Sequence, residues 1–331
     1  MPLLSIVIPT HRRPRLLTRA IASAIDTYKG VDIEILVIPN GQDDTWKAVA
    51  DQHAHDPRIQ WLYLPVGNAC AARNHGLAKA KGTYLRFLDD DDYLLPAAAE
   101  QLDLIDREGL DACSAPLEFI TAGGIQRYPI GLPVTDDFVA AAIHSATVSL
   151  TQGSIFRTKR IRETRWREDV DLYDDYLWML DVVTSGEMAW TQTPAPVCAY
   201  VQHDGVRLSR IRRSSRNSRV LVDALLQVHR KIQLQGRLNH QRGEAVAAAL
   251  LTHAHSAFPA SPVYLGGAIR KAKAIAPDAT PTPLQPIFKR HPWLARHLLA
   301  IEWAALVPRY VTRGYRRASW FIGGMLERLN S

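Results

Sequence analysis

Two hydrophobic periods alternate along the first 120 residues. Leu4 to Pro9 is a compact apolar run, the mark of a strand buried on both faces. After Pro14, which suits the first position of a helix, Leu16, Leu17, Ala20, Ile21 and Ile25 recur at helical spacing. Ile33 to Ile38 reads as a second buried strand, broken by Asn40-Gly41, and Asp43 or Asp44 offers a cap for the next helix. Ile59 to Leu64 is a third strand and Asn68 to Lys79 an Ala-rich helix ended by Gly82. Tyr84 to Leu88 is a fourth strand, Pro96 to Ile105 a helix, and Ala112 to Phe119 a fifth strand. This order predicts an α/β fold: a mainly parallel sheet with helices on both faces. Ligands of such sheets bind beyond the carboxyl ends of the strands, where Thr10, Asn40 and the run Asp89-Asp90-Asp91-Asp92 all fall.

From Gly123 the pattern loosens. Gly123-Gly124, Pro129, Gly131 and Pro133 mark a loop-rich transition, residues 144–202 mix short strands with a helix over Asp174 to Val183, and the chain after Arg207 reads as helical. Its 331 residues suit two modules, 1–212 and a helical 213–331.

Composition narrows the class. Hydrophobic residues are 47% and charged residues 22%, ordinary for a folded soluble protein. Cys70, Cys113 and Cys198 lie far apart, without zinc-like spacing, and read as buried reduced thiols. The N-terminus lacks a basic segment before its first apolar run and no apolar stretch is long enough to span a bilayer, so a cytoplasmic protein is expected. The net charge of +7 is concentrated at one end: from Lys289 onward there are eight basic residues and two acids. No nucleic-acid module accompanies those arginines, so no nucleic acid is expected as partner. The turn Thr10-His11-Arg12-Arg13 contains no GxGxxG and argues against a dinucleotide enzyme.

The chemistry concentrates in the acidic run. Four adjacent carboxylates at a buried strand end repel one another unless a cation neutralises them. In extended chain Asp89 and Asp91 share a side, and two such oxygens suit Mg²⁺ or Mn²⁺ together with substrate phosphate. The plainer alternative is a solvated acidic turn before the helix at Pro96. Arg73, about one turn into the helix after Gly67-Asn68, lies within reach of a diphosphate or of the acids; taken alone it reads as a surface arginine.

These residues resemble the family 2 inverting glycosyltransferases of GT-A (Rossmann-like) fold. The matching segments are Ser5-Ile6-Val7-Ile8-Pro9-Thr10, Gly41 with Asp44, Gly67 through Arg73-Asn74-His75-Gly76, and Phe87-Leu88 with the four acids and Pro96. More loosely, Asp174-Asp175-Tyr176-Leu177-Trp178 and Tyr200-Val201-Gln202-His203 resemble the family's acidic pair and closing segment. The resemblance covers roughly residues 3–210. It implies a nucleotide-sugar-binding half, 1–120, and an acceptor half, 121–212. It further implies a nucleoside-diphosphate sugar donor, with a UDP-sugar favoured. Pro9, Thr10, Asn40, Arg73, Asp89 and Asp90 would contact that donor. Asp89, Asp91 and His203 would hold the metal, and Asp175 would be the catalytic base. One departure touches the nucleotide: the second strand ends in Pro39-Asn40 where the family has two acids.

The implied acceptor is a glycan or lipid-linked glycan of a bacterial cell surface. Read as a helix, Arg309 to Leu326 puts Arg309, Arg313, Arg316 and Arg317 on one side and Val311, Ala318, Phe321, Ile322 and Met325 on the other. It suits either a peripheral helix on an anionic membrane surface, on the cytoplasmic face of the inner membrane, or a helix packed on the domain. The competing function is an inactive sugar-nucleotide or glycan-binding module of the same fold.

Overall fold

The computed structural model describes residues 2–121, 124, 126–144, 146–170, 172–202, 215–309 and 311. The chain divides into two compact units, Met1–Ile211 and Arg212–Ser331.

The first unit opens as its hydrophobic pattern demands. Strand β1 (Leu4–Thr10) is buried throughout and leads into α1 (Pro14–Thr27), which starts at its proline. β2 (Ile33–Pro39), α2 (Lys47–Gln52), β3 (Ile59–Trp61), α3 (Ala69–Lys79) and β4 (Tyr84–Phe87) complete the alternation. Neither Asp43 nor Asp44 caps α2, whose N-cap is Trp46. Asp43 instead accepts backbone hydrogens from Arg12 and Thr45 and stiffens the rim between β1 and β2.

The expected fifth strand is two strands in two sheets. After β5 (Tyr93–Leu94) and α4 (Ala97–Arg107), β6 (Ala112–Ser114) ends before Pro116, which has no N–H to extend a ladder, and β7 (Leu117–Ile120) joins a different sheet. The chain continues through β8 (Arg127–Ile130), α5 (Phe138–His144), α6 (Ala146–Ser149), a 3₁₀ turn (Thr151–Gly153), β9 (Ser154–Arg157), α7 (Thr158–Ile161), α8 (Asp174–Ser185), β10 (Trp190–Gln192) and β11 (Cys198–Val201). The seven-stranded sheet has the order β10-β6-β9-β4-β1-β2-β3, and among the described strands only β9 runs against its neighbours. A second sheet, β5-β11-β7-β8, carries the strand Cys198–Val201 beside the acidic run. Cys70, Cys113 and Cys198 are buried free thiols.

A polar knot inside the sheet sets the register of β1, β2 and β4. Glu34 is buried, and its Oε1 accepts hydrogen bonds from Ser5 Oγ at 2.6 Å and from the N–H groups of Lys81 at 2.6 Å and Gly82 at 3.2 Å. Gln60 donates to the other oxygen at 3.1 Å. A buried carboxylate so surrounded is satisfied without a counter-ion.

The second unit consists of α9 (Ser215–Leu234), α10 (His240–Ala257), α11 (Pro262–Ile275), α12 (Gln285–Arg290) and α13 (Leu298–Ala304), with single 3₁₀ turns between some of them. α10 packs against both α9 and α11. Glu302, fully buried, ties α13 to α10 by accepting from His255 at 2.5 Å and from Arg309 at 2.6 Å.

Gly82 is the tight point of the knot: a Cβ there would lie 2.5 Å from the backbone nitrogen of Ser5. Gly82→Ala is therefore expected to destabilise the first unit by about 1–3 kcal/mol. Denaturant unfolding followed by tryptophan fluorescence measures it, and an unchanged midpoint would contradict the packing.

Candidate functional site

The acidic run leaves β4 as a turn, closed by the Asp92 N–H donating to the Asp89 carbonyl at 3.1 Å. This corrects the extended geometry expected from sequence, and the reason is electrostatic. In the turn each of the four carboxylates meets a hydrogen-bond donor, with Arg13 and Gln152 each serving two of them. Asp90 folds back on β1, where its Oδ2 accepts from Thr10 Oγ1 at 2.7 Å and its Oδ1 from Arg13 Nη1 at 2.9 Å. Asp91 shares Arg13 at 3.1 Å. Asp89 accepts from Arg73 Nη2 at 2.7 Å and from Gln152 Nε2 at 2.7 Å. Asp92, wholly buried, accepts from the Val201 N–H at 2.9 Å and from Gln152 at 3.2 Å. Guanidinium groups thus carry part of the neutralisation that the sequence reading assigned to a metal.

Arg73 is far from the surface arginine its neighbours in sequence would suggest. Asn68 caps α3 by accepting from the Ala71 N–H at 2.9 Å. Gly76 lets the helix close on β1, for a Cβ there would meet Val7 at 2.4 Å. Arg73 is therefore buried, stacked over Trp166 at 4.5 Å, with Nη1 on Asp174 Oδ2 at 2.9 Å. Asn74 holds Trp166 in place through its backbone, donating to the carbonyl at 2.9 Å and accepting from the N–H at 2.8 Å. One guanidinium so joins the turn after β4 to the start of α8, which lies 101 residues downstream of Arg73 itself.

Two non-glycine residues among those described have left-handed backbones, Arg12 (φ 56°) and Tyr173 (φ 65°). Each stands immediately before a site residue, Arg13 and Asp174. Such conformations are strained and persist where the surroundings demand them. Beyond Tyr173, Asp175 Oδ1 accepts from Thr151 Oγ1 at 3.2 Å. Burial, reinforced by the charge of Asp174, raises the Asp175 pKa well above the usual carboxylate range even with Arg73 opposing. Burial likewise pushes Asp90 up to about 6 against the pull of Arg13 and Thr10. Cys70 lies 3.8 Å from Asp174, and burial pushes its thiol up to about 12, which keeps it protonated.

Of the residues expected from sequence, Thr10, Arg73, Asp89, Asp90 and Asp91 converge at one rim, joined to the Asp174-Asp175 pair through Arg73. Pro9 is buried in β1 beside Thr10. Asn40 is buried and its Nδ2 donates to the Thr10 carbonyl at 2.9 Å, holding β1 to β2. His203 lies outside the described residues. Asp92 belongs to the acidic run expected at this rim, whereas Arg13, Thr151 and Gln152 are additions that the structure makes. Arg13 was visible as a charge directly after the first strand; Thr151 and Gln152 sit in the loop-rich stretch, where no pattern marks them.

The donor chemistry fits a hard divalent ion. Asp89, Asp91 and Asp92 each offer a carboxylate oxygen, all within 4.8 Å of one another, and an all-oxygen set suits Mg²⁺ or Mn²⁺.

Comparison with known proteins decides the class. The model of glycosyl transferase family 2 matches residues 5–163, the segment that supplies β1 through the acidic turn to β9. Residues 5–163 belong to glycosyl transferase family 2. The chain is 30% identical over 187 residues to the GalNAc(5)-diNAcBac-PP-undecaprenol beta-1,3-glucosyltransferase of Campylobacter jejuni, covering 52% of this chain and 59% of that protein. It is 33% identical over 105 residues to the poly(ribitol-phosphate) beta-N-acetylglucosaminyltransferase TarP of Staphylococcus aureus, covering 31% of this chain and 32% of that one. The chain thus spans less than two thirds of the curated relatives it matches. In structure it resembles S. aureus TarS 1–349 solved with UDP-GlcNAc, with a TM-score of 0.68 at 14% identity, covering 93% of this chain and 91% of that one. That likeness bears out the GT-A arrangement of the family 2 domain and continues beyond it.

The raised pKa of Asp90 gives stability a sign. In the folded protein it holds its proton up to about pH 6, whereas the unfolded chain releases it near 3.8. Between those values folding binds a proton, so stability falls as pH rises. In EDTA, Asp90→Asn is expected to gain stability relative to wild type from pH 4 to pH 7, read as the difference in melting temperature; a difference constant with pH would contradict it.

Proposed function

We propose that this chain transfers a sugar, with inversion, from a nucleoside-diphosphate sugar, a UDP-sugar being favoured, to a hydroxyl of a glycan acceptor. The single observation behind this is the Arg73 bridge. It brings the acidic turn of the family 2 domain and the Asp174-Asp175 pair against one buried guanidinium. Asp175 acts as the base: it accepts the acceptor's proton while that oxygen attacks the anomeric carbon from the face opposite the leaving group. Arg73 and Arg13 lend positive charge to the departing diphosphate. Thr10 holds Asp90 beside Arg13, at the rim where Pro9 and Asn40 close the end of the sheet. Asp89, Asp91 and Asp92 would hold Mg²⁺ or Mn²⁺, which when bound offsets further charge on the diphosphate. On family resemblance His203 would help hold the same metal or diphosphate. The UDP-GlcNAc of the TarS structure supports the donor class. The undecaprenol-diphosphate glycan in the name of the Campylobacter relative supports a lipid-linked acceptor in cell-surface polysaccharide assembly.

A panel of nucleoside-diphosphate sugars assayed for nucleotide release with undecaprenyl-diphosphate-linked oligosaccharides tests this. Turnover is expected with one donor class. Asp175→Asn is expected to lower kcat by about 10²–10⁴-fold with donor binding retained. Because Asp175 works only when ionised and its pKa is raised, the ascending limb of the pH–kcat profile is expected above the ordinary carboxylate range near 4. Undiminished kcat in Asp175→Asn would remove the base from the account.

We also infer that the helical unit places the enzyme on an anionic membrane, at the cytoplasmic face where a lipid-linked acceptor would be met. Among the described residues no helix is long and apolar enough to cross a membrane. In the second unit Trp303, Val307 and Val311 recur four residues apart and are 45%, 69% and 66% exposed. The charged side chains exposed over residues 285–309 are Lys289, Arg290 and Arg296, while Glu302 is buried on His255 and Arg309. An apolar stripe beside exclusively basic charge suits an anionic headgroup layer. The arginine-rich continuation from Arg313 lies outside the described residues. Co-sedimentation with phosphatidylglycerol vesicles is expected to exceed that with phosphatidylcholine and to fall in Val307→Asp; equal partition between the two lipids would overturn the membrane reading.

A further inference from the structure

The 3₁₀ turn Thr151–Gly153 approaches both acidic groups at once. Gln152 is 1% exposed, and its Nε2 donates to Asp89 Oδ2 at 2.7 Å and Asp92 Oδ2 at 3.2 Å. The preceding side chain, Thr151, donates to Asp175. Two consecutive side chains of one turn therefore touch two of the cation-site carboxylates and the proposed base.

The turn is fastened from beneath by an unusual residue. Arg86, in the middle of β4, is fully buried. Its Nη1 donates to the Gln152 carbonyl at 2.8 Å and its Nη2 to Gln101 Oε1, both neutral acceptors. Gln101 in turn donates to the carbonyls of Gly153 at 3.1 Å and Cys113 at 2.9 Å. A guanidinium in low dielectric without a carboxylate partner is costly, and what it secures here is the position of Gln152. At the other end of the Gln152 amide, Oε1 is buried with no hydrogen-bond partner. Leaving such an oxygen unpaired costs on the order of 1–3 kcal/mol. The amide is thus committed through nitrogen to the carboxylates and open at oxygen.

We propose that Gln152 is a positioning residue that holds Asp89 and Asp92 at the spacing a divalent cation requires, with its open Oε1 ready to accept an O–H group carried by the bound ligand. Thr151 does the corresponding work for Asp175. Anchored by Arg86, the turn couples the geometry of the cation site to that of the base. The proposal rests on the reading of the acidic turn as a cation site, and goes beyond it in assigning that geometry to a residue that itself bears no charge.

Titration of the full chain with Mn²⁺ alone, by calorimetry and by electron paramagnetic resonance of free Mn²⁺, separates the two. Wild type is expected to bind, and Gln152→Met to bind about 10–100-fold more weakly. Gln152→Asn, which keeps the amide but shortens its reach, is expected between them and serves if the Met variant does not fold. In turnover the Gln152 variants raise the Mn²⁺ concentration needed for half-maximal rate. Thr151→Val lowers kcat at unchanged donor KM, and Thr151→Ser restores it. Adding UDP-sugar to the Mn²⁺ titration tells the source of the O–H group: a Gln152→Met deficit that grows with the sugar points to a donor hydroxyl, a constant one to metal-bound water. Wild-type Mn²⁺ affinity in both Gln152 variants would overturn the proposal alone. Absence of Mn²⁺ binding in wild type would overturn the cation reading with it.

Discussion

Arg73 is the constraint on which the site depends. Its guanidinium joins a carboxylate from the turn after β4 to one from the start of α8, at 2.7 and 2.9 Å, and lies over the Trp166 ring. Removing a partner from a buried ion cluster is expensive, since the charges left behind are stranded in low dielectric. The surrounding architecture follows from keeping that cluster together. Gly76 brings α3 onto the sheet, Asn68 starts the helix at the right place, and Asn74 locks Trp166 beneath the guanidinium.

Charge is distributed around that centre in a consistent way. Arg13 serves Asp90 and Asp91, Arg73 serves Asp89 and Asp174, and the neutral amide of Gln152 serves Asp89 and Asp92. The rim is therefore compatible with folding before any ligand arrives. The two left-handed residues Arg12 and Tyr173 stand immediately before Arg13, which pairs with the acidic turn, and Asp174, which pairs with Arg73. Under the proposed transfer, a preorganised set of this kind would spend little reorganisation as negative charge develops on a leaving diphosphate.

Much of this was legible in the sequence, and for physical reasons. Buried parallel strands such as Leu4–Thr10 and Ile33–Pro39 are near-continuous apolar runs, and helix starts at Pro14 and Asn68 carry their own chemical marks. Four adjacent acids at a strand end are rare enough to point to a site. What stayed hidden depends on long-range packing. No local pattern announces that β9 inserts antiparallel between β4 and β6, because Ser154–Arg157 has the same apolar character in either direction. Ala112 to Phe119 reads as one strand, and nothing in its apolar pattern marks the change of sheet that follows Pro116. Thr151 and Gln152 acquire their roles only because Arg86, a charge inside a buried strand, draws their turn against β4. Arg86 was the sequence-level clue to that contact, since an arginine at such a position requires partners.

The central claim is that the acidic rim binds a divalent ion and a nucleoside diphosphate as one unit. The most direct measurement is the affinity of the preferred nucleoside diphosphate by calorimetry, with Mn²⁺ and with EDTA. The account predicts at least about tenfold tighter nucleotide binding with the metal and, by thermodynamic reciprocity, equally strengthened Mn²⁺ binding with the nucleotide. Nucleotide affinity indifferent to the metal, for every nucleoside diphosphate that binds, would contradict it.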